Sequence, residues 1–228
     1  MSKKPTAQAE LPEDRMYQRM VSAIIEKSLR PGEHVNEMQL AEAYSISRPR
    51  VRRVLERLQM EDVLEFQRNR GAFISRPSVQ EALDVFEARV HLEAVVLRLA
   101  CQRATASDIA RLRAHNALER KAFDSGLANV NEVAGDFHVL LAEVAGNKVI
   151  LETIKLLIRR VCLIQSLYET NRAVLCLVDE HEKLVDLIEA RDPEKCVTSS
   201  NHHCSHILSS LHLSDERKSK RNIYSADA

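Results

Sequence analysis

The sequence predicts a mainly α chain in two parts. The first is an N-terminal helical segment carrying one small β-hairpin, and the second is an antiparallel all-α bundle of about six helices. Three observations lead there. Apolar residues recur at helical spacing over most of the chain, and five Gly and six Pro in 228 residues are too few for a turn-rich all-β fold. Strand-like runs occur at one place, Val63-Leu-Glu-Phe66 and Ala72-Phe-Ile74.

Taken in order, residues 1–12 are polar, with Pro5 and Pro12, and read as a disordered arm. From about Asp14 a helix runs through Met16, Met20, Ile24 and Ile25 until Leu29-Arg-Pro-Gly32 stops it. Glu33-His-Val35 is then a connector. Asn36 with Gln39 resembles a capping box, opening a short helix through Leu40, Ala41 and Tyr44. Ser47 stands at the N-cap position of the next helix and Pro49 in its first turn. Val51, Val54, Leu55 and Leu58 make its apolar face, while Arg48, Arg50, Arg52, Arg53 and Arg57 crowd its start and outer side. Two short helices joined by a tight turn, then a hairpin with Arg68 and Arg70 at its tip, form a winged helix-turn-helix over residues 13–76.

Arg76-Pro77-Ser78 marks a boundary, with Ser78 able to cap the next helix. Residues 77–213 read as helical throughout. Leu83, Phe86, Val90 and Leu97, with Arg89 and Glu93, place the first helix. Ala106–Ser125, Asn131–Ala145, Val149–Leu167, Ala173–Arg191 and 194–213 come next, punctuated by Gly146-Asn147 and Asp192-Pro193. The tail, 214–228, reads as disordered.

Composition narrows the function classes. No run of about eighteen apolar residues and no signal-like N-terminus is present, so a cytoplasmic protein with no membrane partner is expected. Five cysteines without Cys-x-x-Cys spacing read as reduced thiols. Formal net charge is zero, yet eight arginines lie between Arg48 and Arg76 against only Glu56, Glu61, Asp62 and Glu65. A helix whose first turns carry arginine suits the DNA major groove, where arginine reads guanine edges and binds phosphates. The wing tip could put an arginine in a minor groove. A merely solvated basic face is the alternative.

In the second part, His138 lies in line with Ala134, Leu141 and Ala145, and His181 with Leu177, Leu184, Val185 and Ile188. If Asp192-Pro193 turns a helical hairpin, His181 and His203 stand eleven residues either side of Asp192, each roughly 16 Å from the bend at 1.5 Å per residue. His203 shares the apolar face with Ile207 and Leu211; His202 and His206 point elsewhere or sit higher. Three inward imidazoles would suit Zn²⁺ or Ni²⁺ with an open position, and three separately hydrogen-bonded core histidines remain the alternative. The pattern puts no carboxylate inward beside these rings, which counts against a helical metalloenzyme built on a three-histidine site.

Pro31-Gly-Glu33, Gln39-Leu-Ala-Glu42, Ser47-Arg48 with Val51-Arg52, and Asn69-Arg-Gly-Ala72 resemble, in order and spacing, the winged helix of GntR-family transcription regulators. Arg89 with Glu93, Phe137-His138 before Ala145-Gly-Asn147, and Glu180-His181 reaching Asp192 and His203 resemble the FCD ligand-sensing domain of the FadR-type branch. The resemblance implies a regulator of transcription, more often a repressor, binding a pseudo-palindromic double-stranded DNA operator as a homodimer. It implies operator contact at Glu42, Ser47, Arg48, Arg50, Arg52, Arg68, Arg70 and Gly71. It also implies a small organic acid effector held by Arg89 beside a divalent metal on His138, His181 and His203. The family completes that metal site with a carboxylate four residues before the first histidine, where this chain has Ala134. The family's Thr-Pro-Val after Ser-Arg is here Pro49-Arg50-Val51, its Glu is Arg53 and its Gly is Asp62.

Overall fold

The computed structural model describes residues 11–127, 130–169 and 176–213, the side chains of residues 176–177 apart. Residues 1–10 of the expected arm, the expected tail, and positions 173–175 of one expected helix lie outside the described residues. The chain divides into two compact units between Ser75 and Arg76.

In the first unit, α1 (Pro12–Ile25) packs on α3 (Arg48–Met60), and α2 (Glu37–Ala43) lies across α3. Met16, Tyr17, Met20 and Ile24 meet Val51, Leu55 and Leu58 in a core where each is almost fully buried. Pro12, expected in the arm, opens the first helix instead, since a missing N–H costs nothing in a first turn. That helix also ends earlier than its apolar spacing suggests. Lys27 adopts φ 61°, and the amides of Ser28 and Leu29 both donate to the Ala23 carbonyl at 2.9 Å, closing the C-terminus before Pro31 is reached. Asn36 caps α2 by accepting from the Met38 and Gln39 amides at 3.0 and 3.2 Å. In the turn between α2 and α3, Ser45 takes φ 52°, and buried Ile46 donates its amide to Ala41.

The wing is β2 (Leu64–Gln67) against β3 (Gly71–Ile74), antiparallel, with Leu64 opposite Ile74 and Gln67 opposite Gly71. A third strand, β1 (His34–Val35), joins β3 on its other edge, so the order is β1-β3-β2. This differs from the connector expected at His34-Val35, because two residues are too few to show a period. Gly71 is favoured by its backbone conformation. Its φ is 91°, and a Cβ there would come within 3.0 Å of the His34 Nε2.

The second unit holds α4 (Val79–Arg103), α5 (Ala106–Asp124), α6 (Val130–Ala145), α7 (Lys148–Tyr168), α8 (Cys176–Glu189) and α9 (Pro193–Ser210). Helix α4 packs against α6, α7 and α9, while α5 lies on α6 and α8. The start of α4 is a reciprocal cap: the Glu81 amide donates to Ser78 Oγ, and the Ser78 amide donates to Glu81 Oε2. Thr105 and Asp108 repeat the device on α5. The far end of α4 is closed by Arg191, which sits at φ 58° in the α8–α9 turn and donates to the carbonyls of Cys101 and Ala104. Gly135 explains how α6 and α7 approach: a Cβ there would meet Ile158 Cγ2 at 3.0 Å and Cys162 Sγ at 3.3 Å. Two expectations differ in detail. Leu83, expected inward, is 40 % exposed, and α9 stops at Ser210 because Leu211 turns to bridge Glu169.

Candidate functional site

Helix α3 presents Arg48 and Arg52 outward, their side chains 65 % and 55 % exposed, with Glu42 and Ser47 exposed nearby. Glu37, at the start of α2, lies 3.8 Å from Arg48 and 3.6 Å from Arg52, and Arg52 also reaches Glu56 at 3.3 Å. Such exposed pairs are weak. A phosphate or guanine edge can therefore take over either guanidinium at little cost. Ser47 stands at the N-cap of α3 but makes no side-chain cap hydrogen bond. On the wing, Arg68, Arg70 and Gly71 are exposed, and the Arg70 guanidinium lies 5.1 Å from the Phe73 ring.

Arg50 behaves differently from its neighbours. It forms a two-pronged pair with Glu13 of α1, its Nη2 donating to Oε2 at 2.5 Å and its Nε to Oε1. The hydrogen bond from Arg50 holds the Glu13 carboxyl below its ordinary value. Arg50 thus ties α1 to α3. Periodicity on α3 alone carries no hint of Glu13, thirty-seven residues away.

In the second unit His138 from α6, His181 from α8 and His203 from α9 come together, at most 3 % exposed. One ligand nitrogen from each lies within 4.8 Å of the others. Nε2 of His181 faces Nε2 of His203 at 3.2 Å, and Arg89 Nη2 lies 2.6 Å from His138 Nε2. Arg89 itself is 2 % exposed and donates its Nε to Glu93 at 2.8 Å.

Behind the rings stand three carboxylates. His181 Nδ1 is 2.8 Å from Glu119 Oε2, His203 Nδ1 is 2.9 Å from Glu180 Oε2, and His138 Nδ1 lies 2.9 Å from Glu93 Oε1. This corrects the expectation that no carboxylate points inward here. The helical pattern holds a trace of Glu119, since Ile109, Leu112, Asn116 and Glu119 form one buried stripe on α5. Glu180 is beyond reach of pattern reading, because it approaches His203 only once α8 and α9 fold back on each other.

Burial pushes His138 down to about 4 despite the opposing pull of Glu93. Burial also drives His203 well below its ordinary value, with His181 and Arg89 acting in the same direction. Burial raises Glu93, but the charge of Arg89 outweighs it and leaves the carboxyl far below the usual range. Both imidazoles are therefore neutral and Glu93 is ionised. A neutral ring whose Nδ1–H donates to a carboxylate keeps a bare lone pair on Nε2. At 3.2 Å the Nε2 atoms of His181 and His203 are close enough to share a proton or a cation. Metal–nitrogen bonds of about 2.0–2.1 Å in a tetrahedral site would put ligand atoms about 3.3 Å apart. The His181–His203 separation matches that spacing. Position 134, on α6, offers only a methyl group, and Asp136 is exposed on another side of that helix.

A winged helix-turn-helix with outward arginines, joined in one chain to a helical unit with a buried histidine and arginine centre, is the architecture of a DNA-binding transcription regulator. The chain belongs to the GntR family of bacterial regulatory proteins, in the branch carrying the FCD domain: the gntR family model matches residues 12–74 and the FCD model residues 84–206. It is 29 % identical over 167 residues, 73 % of this chain and 79 % of the other, to the Nta operon transcriptional regulator of Aminobacter aminovorans. It is 24 % identical over 213 residues, 90 % and 93 % of the two chains, to the HTH-type transcriptional regulator YdhC of Bacillus subtilis. In fold it resembles E. coli McbR/YncC, with a TM-score of 0.76 at 17 % identity over 87 % of this chain and 95 % of that one. A GntR regulator from Rhodococcus sp. RHA1 gives 0.75 at 18 % identity over 88 % and 99 %. The Aminobacter and Bacillus relatives are transcriptional regulators. No helix among the described residues is long and apolar enough to cross a membrane.

Proposed function

We propose that the chain is a cytoplasmic, homodimeric repressor whose winged helix, residues 13–76, binds a pseudo-palindromic operator. Its helical domain, residues 77–213, senses a small organic acid beside a divalent ion such as Zn²⁺ or Ni²⁺. The observation that carries this reading is the meeting of the His181 and His203 Nε2 atoms at 3.2 Å, each ring backed by a carboxylate. His138, His181 and His203 would hold the ion, and Glu119 and Glu180 would orient two of the rings. The ion would supply a positive charge for an anionic ligand. Arg89, now donating to His138 Nε2, would turn its outer nitrogens to the acid's carboxylate while Glu93 keeps hold of its Nε.

A rival reading as a hydrolytic metal site lacks support, because Glu119 and Glu180 are each engaged by an imidazole Nδ1, Glu93 accepts from Arg89 and Ser200, and none is left to serve as a general base. Half-site pairing by two winged helices supports the dimer, since a single one makes few base contacts. The test is binding of the chain to DNA from upstream of its own gene, followed by fluorescence anisotropy with and without Zn²⁺ and a panel of carboxylic acids. Release of the operator by an acid only when Arg89 is intact supports the reading; operator binding indifferent to every acid and metal removes the sensor half of it.

A further inference from the structure

A second group of metal-type ligands lies outward of the first. His202 and His206 stand one turn apart on α9, with ring centroids 4.0 Å apart, and Glu180 reaches across from α8. Glu180 Oε1 lies 2.6 Å from His206 Nδ1 and 3.6 Å from His202 Nδ1, and the ligand atoms of the three are all within 4.8 Å of one another. Their side chains are 13 %, 66 % and 36 % exposed for Glu180, His202 and His206, so the group opens to solvent, in contrast to the buried triad. Two histidines at i and i+4 on one helical face form a bidentate divalent-metal site, and a carboxylate from a neighbouring helix supplies the third ligand.

We propose that Glu180, His202 and His206 bind a second divalent transition-metal ion, of the Zn²⁺, Ni²⁺ or Cu²⁺ class, with water completing its sphere. Two imidazoles and one carboxylate select these borderline ions over Mg²⁺ or Ca²⁺, which favour all-oxygen sets. Ligand separations in a tetrahedral site are about 3.3 Å, and the nitrogen–oxygen distances of 2.6 and 3.6 Å fall on either side of that value. Small side-chain rotations bring them to it.

Glu180 also links this site to the buried one, and this link rests on the proposed metal reading of His138, His181 and His203. Its Oε2 accepts from His203 Nδ1 at 2.9 Å while its Oε1 faces the outer pair. An ion on Oε1 draws charge from the carboxylate, weakens its hold on His203 Nδ1–H and makes that imidazole a poorer ligand. Like charges close together act in the same direction. The two sites are therefore negatively coupled, and by linkage each lowers the other's affinity by the same factor.

The test is equilibrium dialysis of the full chain against micromolar Zn²⁺, comparing wild type with His202→Gln/His206→Gln. Both changes lie on an exposed face, and circular dichroism verifies that the variant is folded. Wild type should bind one more equivalent per chain than the variant. Equal stoichiometry overturns the outer site. Two equivalents falling to one supports both sites, whereas one falling to none supports the outer site and removes the buried one, so the two readings fail separately. Where the buried site fills, calorimetric titration should show it about tenfold tighter in the double variant. Unchanged inner affinity overturns the coupling.

Discussion

Nε2 of His181 and Nε2 of His203 point at each other across 3.2 Å, with Glu119 behind one ring and Glu180 behind the other. Three consequences can be measured. Glu119→Gln should weaken Zn²⁺ or Ni²⁺ binding at the buried centre by about 10–100-fold, as loss of an outer carboxylate partner does elsewhere. His203→Ala should abolish that binding, and Ala134→Asp should tighten it by adding a fourth ligand. Calorimetric titration in the His202→Gln/His206→Gln background isolates the buried centre. Full affinity in His203→Ala would remove that residue from the ligand set.

Arg89 should decide acid sensing. A thermal-shift screen of carboxylic acids in the presence of Zn²⁺ is expected to give at least one stabiliser, because a ligand bound only to the native state raises the melting temperature. The shift should vanish in Arg89→Ala. The reference for each acid is the variant's own unliganded melting curve, since removing the guanidinium leaves the buried Glu93 carboxylate without its cation and lowers stability by itself. An equal shift in variant and wild type would place the clamp elsewhere.

On the DNA face, Arg48→Ala should cost on the order of 1–3 kcal/mol of operator binding and relax sequence preference, as loss of a bidentate guanine contact does. Arg68→Ala or Arg70→Ala should weaken operator and random DNA alike and flatten the salt dependence. Anisotropy titrations on both DNAs at several salt concentrations distinguish these outcomes. Equal loss on both DNAs for Arg48→Ala would exclude it from base reading.

Arg50 and Glu13 are expected to act as one unit. Arg50→Ala and Glu13→Ala should lower stability by similar amounts, and the double variant by no more than either, since the interaction can be lost only once. The pH dependence has a definite sign. The Glu13 carboxyl is lowered in the folded chain, so the unfolded state binds more protons near its ordinary value of about 4.5, and stability rises with pH there. The contribution is complete above that value and is lost as pH falls through the folded-state value. Melting temperatures of wild type and Glu13→Gln should therefore converge in acid. A constant gap would show that the pair contributes through packing alone.

Ser45, at φ 52° in the turn between α2 and α3, holds a conformation that costs an L-residue roughly 1–2 kcal/mol. Ser45→Gly should stabilise the first unit by about 0.5 kcal/mol once glycine's greater freedom in the unfolded chain is subtracted. Chemical denaturation gives the value directly. A loss of stability would mean that the serine side chain holds the turn.

Helical spacing makes most of this architecture legible, because burying one face leaves a mark every three or four residues: Val51, Val54, Leu55 and Leu58 on α3 are buried as that spacing requires. Counting residues about Asp192 pairs His181 with His203 correctly, since two helices in a tight hairpin keep register. The features hidden from the sequence depend on contacts between distant segments. The two-residue strand β1 is defined by Phe73 and Ala72 opposite it, the role of Glu13 by Arg50, and the role of Glu180 by α9. A carboxylate on a helix reads as surface until the partner that draws it inward is known.

Tyr168 closes α7, and its hydroxyl donates to the Pro77 carbonyl at 2.8 Å while its own carbonyl accepts from the His212 amide at 2.9 Å. One residue thus buckles together the end of α7, the chain just beyond α9 and the entrance to α4. Helices α4 and α9 carry Arg89 and His203. A slide of either helix would therefore strain the Tyr168 contacts at Pro77 and His212, at the two ends of the helical unit.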